Sequence, residues 1–120
     1  NNPKLMEYLE KFLSESLTDY PAARTPKLFY MWGHSYEFDR NSNWDLLENF
    51  CKTAGGREDI WYAANIKICD YVNAYRSLIF NVDNTKVYNP TDKRIWFETY
   101  DDGIGFQVFS INPGQTINLL

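Results

Sequence analysis

The side chains best suited to chemistry stand together in one short stretch of the chain. Within six residues they supply an imidazole, two hydroxyls and two carboxylates, on His34, Ser35, Tyr36, Glu37 and Asp39. His34 is the only histidine of the 120 residues, so any imidazole chemistry must use this side chain. An unperturbed imidazole changes protonation near pH ~6.5, which suits a general acid at neutral pH. From the residues alone, His34 is either such an acid or a structural histidine, and the two carboxylates either orient it or are solvated.

The residues before this stretch predict the element that positions it. Leu28–Trp32 reads L-F-Y-M-W, a continuous apolar run without alternation. Such a run is typical of a strand buried on both faces, as in a parallel sheet. Gly33 ends the run, and ligands and catalytic groups gather at the carboxyl ends of parallel strands. We therefore expect His34 just past the end of a buried strand.

Helices and one further strand complete the first part of the chain. A helix is expected from Asn2–Pro3 to about Ser16, followed by a loop from Thr18 to Pro26. Ser42 and Asp45 have the spacing of a capping box before a helix that Gly55–Gly56 ends.

A third helix is expected after Asn65, which can cap it. Ile60–Ala63 is a second short apolar run. Two apolar strands joined by an intact helix predict a right-handed crossover, so we expect Leu28–Trp32 and Ile60–Ala63 to pair in parallel.

The pattern changes near Ser77 to alternating apolar and polar residues. It predicts antiparallel strands in the ranges 78–82, 85–89, 94–100, 106–111 and 116–119, with Asp83–Asn84 as a two-residue turn. Residues 1–76 are accordingly expected to form an α/β part, and residues 77–120 an antiparallel β segment.

Composition limits the class of function. Hydrophobic residues make up 44% of the chain and aromatic residues 18%, which is enough for a folded core. The net charge is −4 and no stretch clusters Lys or Arg, which argues against nucleic acid or an anionic membrane as a partner. No apolar run approaches the ~20 residues of a membrane span. Composition leaves the cellular compartment open.

The two cysteines do not indicate a metal site. Cys51 and Cys69 are expected on the apolar sides of helices as buried free thiols, with a disulfide as the alternative. Two cysteines and one histidine provide no paired ligand spacing for zinc, so no metal is expected on these residues.

With these residues in view, the chain resembles the C-terminal half of the NodB-homology polysaccharide deacetylases, in the bacterial branch with an extra C-terminal β segment. The similar stretches are F-Y-M-W-G-H-S-Y-E-F-D at Phe29–Asp39 and A-G-G-R-E-D-I-W-Y-A at Ala54–Ala63, with V-D-N-T-K-V-Y-N-P and I-N-P-G-Q-T-I in the tail. The resemblance implies the C-terminal portion of an irregular (β/α) barrel followed by an antiparallel β tail. It also implies a hydrolase that removes N-acetyl groups from carbohydrate with the help of a divalent, zinc-like metal.

The resemblance assigns roles to single residues. His34 matches the histidine that protonates the departing amine, although Trp32 stands where the family has leucine. Trp32, Tyr36, Glu37 and Asp39 are then candidates for contacts with the sugar. The family's paired aspartates and its histidine pair have no counterpart in this sequence. The expectation is therefore a truncated enzyme that binds no metal itself, is inactive alone, and is completed by a missing N-terminal half or another copy of the chain.

An alternative from another class remains open. The same aromatic-rich chain could be a non-catalytic module that binds carbohydrate or packs against a protein partner. Under that interpretation Trp32 and Tyr36 contact a ligand, and His34 has no chemical role. Trp44, Trp61 and Trp96 are expected to be packing residues under either interpretation.

Overall fold

Contacts within the chain divide it into two units, Asn1–Ile60 and Trp61–Leu120, in a computed structural model that describes residues 4–15 and 25–120. The helices in the described ranges are α1 (Leu5–Ser14), α2 (Ser35–Arg40), α3 (Trp44–Ala54) and α4 (Asn65–Arg76). The strands are β1 (Ile79–Phe80), β2 (Lys86–Tyr88), β3 (Ile95–Asp101), β4 (Gly105–Ile111) and β5 (Thr116–Asn118).

The first unit is built on helices that pack through aromatic rings. Helix α1 is amphipathic, buries Leu9 and packs against α3, which also contacts α2. The Phe29 ring lies between the rings of Phe12 and Phe50, with centroid separations of 5.4 and 5.9 Å. These contacts fix the chain that leads to His34, since Phe29 stands five residues before it.

The two strands predicted in the first part of the chain are wrong. Leu28–Trp32 and Ile60–Ala63 have no regular secondary structure. Leu28 is 67% exposed and Trp32 is 77% exposed, so the run is not buried on both faces. Apolar and aromatic residues fit a sheet surface, but a strand also needs a neighbour that satisfies its backbone groups. The expected parallel pairing and crossover are wrong for the same reason.

The predicted helices are present, but their first residues differ from the prediction. Helix α3 covers the expected residues, yet Asn43 occupies its N-cap while Ser42 adopts a positive φ of 50°. At α4, Ala64 is the N-cap and Asn65 is the first helical residue. Gly55 ends α3 as predicted. The proposed helix start at Asn2–Pro3 and the loop over residues 18–24 lie outside the described residues.

The second unit combines α4 with two antiparallel sheets. Strands β1, β2 and β5 form one sheet in the order β1-β2-β5, while β3 and β4 pair over seven residues each. The strands expected in the tail are thus present, and their pairings are antiparallel. The core joins helix and sheets through Ala74, Val87, Ile95, Phe97 and Ile111.

Some boundaries and turns differ from the sequence interpretation. Contacts group α4 with the strands, in the unit Trp61–Leu120. The predicted division into residues 1–76 and 77–120 stays a prediction. The β1–β2 connection is the five-residue loop 81–85, which is closed by a hydrogen bond from the Asn81 amide to the Lys86 carbonyl (3.1 Å). Asn84 takes the positive φ of 56° that this loop needs. Whether the chain belongs to an α/β barrel stays a prediction.

Two further expectations concern the cysteines and the membrane. Cys51 and Cys69 are both free thiols, but both are exposed, so the prediction of burial is wrong. Cys51 lies about 100° around α3 from the half-buried Phe50, and this rotation takes it off the packed face.

No helix in the described part of the chain combines the length and apolarity that a membrane crossing requires.

Candidate functional site

His34 stands where an extended segment enters a short helix. Its backbone is extended (φ −117°, ψ 136°) and it occupies the N-cap of α2. The sequence predicted a buried strand that ends before His34, whereas the structure has an irregular segment followed by about one and a half turns of helix. The helical turn has a consequence for the site, because it places residues three positions apart on the same side.

Glu37 faces His34 through this helical spacing. The Nδ1 atom of His34 lies 3.5 Å from Oε1 of Glu37, and the two side chains are 56% and 33% exposed. A separation of 3.5 Å is an ion-pair distance and is longer than the usual 2.7–3.2 Å of a hydrogen bond. An exposed pair of this kind contributes at most about 1 kcal/mol. Glu37 thus biases the orientation of the imidazole and leaves Nε2 as the nitrogen on the other side of the ring.

Aromatic rings flank the imidazole. The Tyr36 ring stacks on that of His34 with a centroid separation of 5.1 Å, and the Trp32 ring meets it edge-on at 6.4 Å. The guanidinium of Arg40 lies 5.3 Å from the centroid of the Tyr36 ring. Trp32 and Tyr36 are both largely exposed. Exposed aromatic faces beside an acid–base group are suited to an apolar ligand face such as that of a pyranose ring.

A cleft of about 450 Å³ opens beside these residues. Apolar side chains make up most of its lining, together with the polar residues His34, Ser35 and Glu37. It is lined by Leu5, Met31, Trp32, Gly33, His34, Ser35, Glu37, Phe38 and Leu47. Volumes of roughly 300–1,000 Å³ are usual for small-molecule sites. The cleft is therefore large enough for one sugar residue.

The structure brings together some of the predicted site residues and not others. Trp32 and Glu37 line the cleft with His34, while Tyr36 contacts His34 from outside the set of lining residues. Asp39 is exposed, and neither the cleft lining nor the contacts of the His34 ring include it. The sequence interpretation missed Leu5 and Leu47, because apolar residues on amphipathic helices carry the same signal whether they face a core or a cleft.

The described residues do not offer a metal site. Over residues 4–15 and 25–120, no group of three or more His, Cys, Asp or Glu side chains is arranged to hold a metal ion. These residues therefore do not fit the divalent metal that the resemblance implies.

The tryptophans expected to be packing residues are more exposed than predicted. Trp44, Trp61 and Trp96 each expose about half or more of their surface. Each ring still has one aromatic or cationic neighbour: Phe38 for Trp44, Tyr71 for Trp61 and Arg94 for Trp96. Each of them thus packs on one side and presents the other side outward.

Comparison with known proteins gives no family assignment: no family model, no curated protein and no solved structure matches the chain. The resemblance to the deacetylases stays a prediction that depends on the quoted residues.

Proposed function

We propose that the chain supplies the general acid and part of the sugar-contacting surface of a hydrolase that removes N-acetyl groups from carbohydrate. The observation that carries this proposal is the position of His34. Its ring is paired with a carboxylate and flanked by exposed aromatic rings, and His34 lines a largely apolar cleft. An acid beside a surface that suits a sugar is the combination that such a reaction needs.

The proposed step is a proton transfer. When the C–N bond of the acetamide breaks, the departing nitrogen must gain a proton to leave as an amine. The imidazolium of His34 donates this proton from Nε2, the nitrogen on the side away from Glu37. The Glu37 carboxylate lies 3.5 Å from Nδ1 and orients the ring, so that Nε2 is the nitrogen that remains for the substrate. Trp32, which lines the cleft, holds the sugar by stacking, while Tyr36 stacks on the imidazole and positions it.

The proposal gives the described residues the acid role alone. Hydrolysis also needs an activated water and a base that takes its proton. The divalent metal that the resemblance implies would supply that water when bound to other residues. We therefore expect the 120-residue chain by itself to show no deacetylation of N-acetylated oligosaccharides above background.

Catalysis by His34 is tested in an intact deacetylase that contains these residues. His34→Ala is expected to lower turnover about 10²–10⁴-fold, which is the usual contribution of a positioned general acid. Lys52→Ala, which removes an exposed partner of Glu48 on α3, is the control and should leave turnover unchanged. Full activity of His34→Ala would contradict the acid role.

Sugar binding is tested separately on the chain itself. N-acetylglucosamine oligomers, added in an NMR titration, are expected to shift the side-chain signals of Trp32 and His34. Trp32→Ala should weaken binding, whereas Trp61→Ala removes another largely exposed indole, outside the cleft, and should not. Binding that depends on Trp32, together with an intact enzyme insensitive to His34→Ala, would favour the non-catalytic carbohydrate module.

A further inference from the structure

The β3–β4 ribbon has one edge that the fold covers. The hydroxyl of Tyr71 on α4 accepts a hydrogen bond from the Trp96 amide (2.9 Å) and donates one to the Trp96 carbonyl (3.3 Å). Tyr71 therefore occupies both backbone groups that Trp96 directs away from β4. At this point the outer edge of β3 is closed by a side chain of its own unit.

The same two bonds fix the direction of the backbone groups on β4. Trp96 pairs with Ser110 and turns its amide and carbonyl outward, so this is a non-hydrogen-bonded pair of the ladder. Such pairs alternate, and two residues further the pair is Glu98 with Val108. The amide and carbonyl of Val108 therefore point away from β3, at the other edge of the ribbon. Among the described strands, β4 pairs with β3 alone.

Strand β4 lacks the features that keep sheet edges apart. Its seven residues, G-F-Q-V-F-S-I, include no charged residue and no proline. Edge strands of soluble proteins usually carry lysine, proline or a bulge, because a long uncharged edge is a template for another strand. On the outward face, Val108 is 71% exposed, directly opposite Glu98 and diagonal to the half-exposed Trp96 and Tyr100. This edge is thus suited to pairing with another strand.

The charges at the two ends of the ribbon indicate which strand would pair there. At one end, the Arg94 guanidinium lies over the Trp96 ring (4.9 Å) and donates to the Ser110 hydroxyl (3.1 Å). At the other end, the β3–β4 turn carries Asp101 and Asp102. An antiparallel copy of the same strand would bring each basic end beside the acidic turn of the other copy. An unrelated peptide does not carry this complementary arrangement of a basic and an acidic end.

We propose that β4 pairs antiparallel with β4 of a second copy of this chain, with a two-fold axis at Val108. The dimer has a continuous four-stranded sheet in the order β3-β4-β4-β3. Val108 meets Val108 of the partner subunit at the axis, and the amide of each donates across the new edge. Arg94 faces Asp102 of the partner subunit at both ends of the interface.

Sedimentation equilibrium of the full chain tests the proposal. The wild-type chain is expected to sediment as a dimer, and Val108→Lys should raise the dissociation constant at least about tenfold, because it places like charges opposite each other at the axis. Val82→Lys is the matched control, since Val82 is fully exposed in the β1–β2 loop and should not affect association. A monomeric wild-type chain, or a Val108→Lys dimer of unchanged affinity, would overturn the proposal.

Charge exchange tests the register. Arg94→Glu and Asp102→Lys should each weaken the dimer, and the double variant should recover affinity because the pair is restored with reversed signs. Asp102 is preferred to Asp101, whose carboxylate accepts the Gly103 amide and therefore stabilises the turn itself. Additive weakening in the double variant would contradict the antiparallel arrangement.

Hydrogen exchange gives a result that does not depend on any variant folding. In the wild-type dimer the Val108 amide should exchange slowly, and dilution to the monomer should accelerate it. A Val108 amide that stays protected in the monomer would assign this edge to the chain's own residues and overturn the proposal.

Discussion

The burial of Asn89 gives a prediction whose size can be worked out from individual bonds. Asn89 is fully buried beside the core of the second unit. Its Nδ2 donates to the carbonyls of Lys93 (2.7 Å) and Ile111 (3.2 Å), and its Oδ1 accepts from the amide (3.0 Å) and hydroxyl (2.7 Å) of Thr91. This one side chain therefore ties the loop after β2 to the end of β4.

Asn89→Ala removes all four bonds and leaves their partners without the side chain that they face. The Thr91 hydroxyl can turn to the Lys93 carbonyl, which already lies 3.4 Å away. Losing the bond from this hydroxyl to Asn89 therefore costs little free energy of folding. The three remaining bonds involve backbone groups and contribute about 1 kcal/mol each, which gives a loss of about 3 kcal/mol. For a unit of this size, such a loss lowers the melting temperature by about 12–24 °C.

Urea unfolding followed by circular dichroism measures this free energy. Asn118→Ala is the control, because Asn118 is exposed on β5 and its loss should change the free energy of unfolding by less than about 0.5 kcal/mol. Asn89→Asp separates hydrogen bonding from cavity formation. It keeps the size of the side chain but turns a donor into a buried charge facing two carbonyls, so it should be at least as destabilising as Ala at neutral pH. A free energy for Asn89→Ala within 1 kcal/mol of wild type would refute the reasoning.

Two further predictions concern the second unit. The hydrogen bond from the Thr85 hydroxyl holds the pKa of the Asp83 carboxyl below its ordinary 3.8, and the Thr85 amide and Asn81 contribute further. Asp83 therefore stabilises the fold fully above pH 3.8, and this stabilisation is lost as the pH falls through the folded pKa. Asp83→Asn should flatten the acid limb of a plot of melting temperature against pH, and an unchanged limb would contradict this origin. Tyr71→Phe keeps the ring but removes the hydroxyl from the Trp96 backbone, so the free energy of unfolding should fall by about 0.5–1.5 kcal/mol. The exposed Tyr75→Phe on the same helix is its control, and equal effects of the two variants would argue against the edge contact.

The candidate site shows which site residues the sequence pattern predicts correctly and which it does not. The sequence selected His34 and Glu37 from their types, and the structure places them in contact because a helix begins at Ser35. The same pattern selected Asp39, which lies elsewhere on α2, away from the cleft. Spacing along a loop does not fix direction, whereas spacing along a helix does, since residues three apart share a face.

Asn89 illustrates a role that no local pattern indicates. The sequence predicts a loop after it from the following Pro90, and the loop is present. Its burial depends on Ile111, which is 22 residues away along the chain. A polar residue is buried only where distant segments supply its hydrogen-bond partners, and single-sequence patterns carry no information on such partners.

The sequence by itself determined the elements that local interactions stabilise. Helix α3 between its polar start and Gly55 follows from a periodicity that needs only neighbours along the chain. Strands β3 and β4 alternate as strands do, and each finds its hydrogen-bond partner in the adjacent segment across a short turn. Tertiary structure alone decided the conformation of Leu28–Trp32. Its apolar residues fit a buried strand, but a strand exists only where another chain segment completes its hydrogen bonds, and in the first unit Phe29 packs between helices instead. Local periodicity is encoded within a few residues, whereas the choice of partner depends on the whole fold.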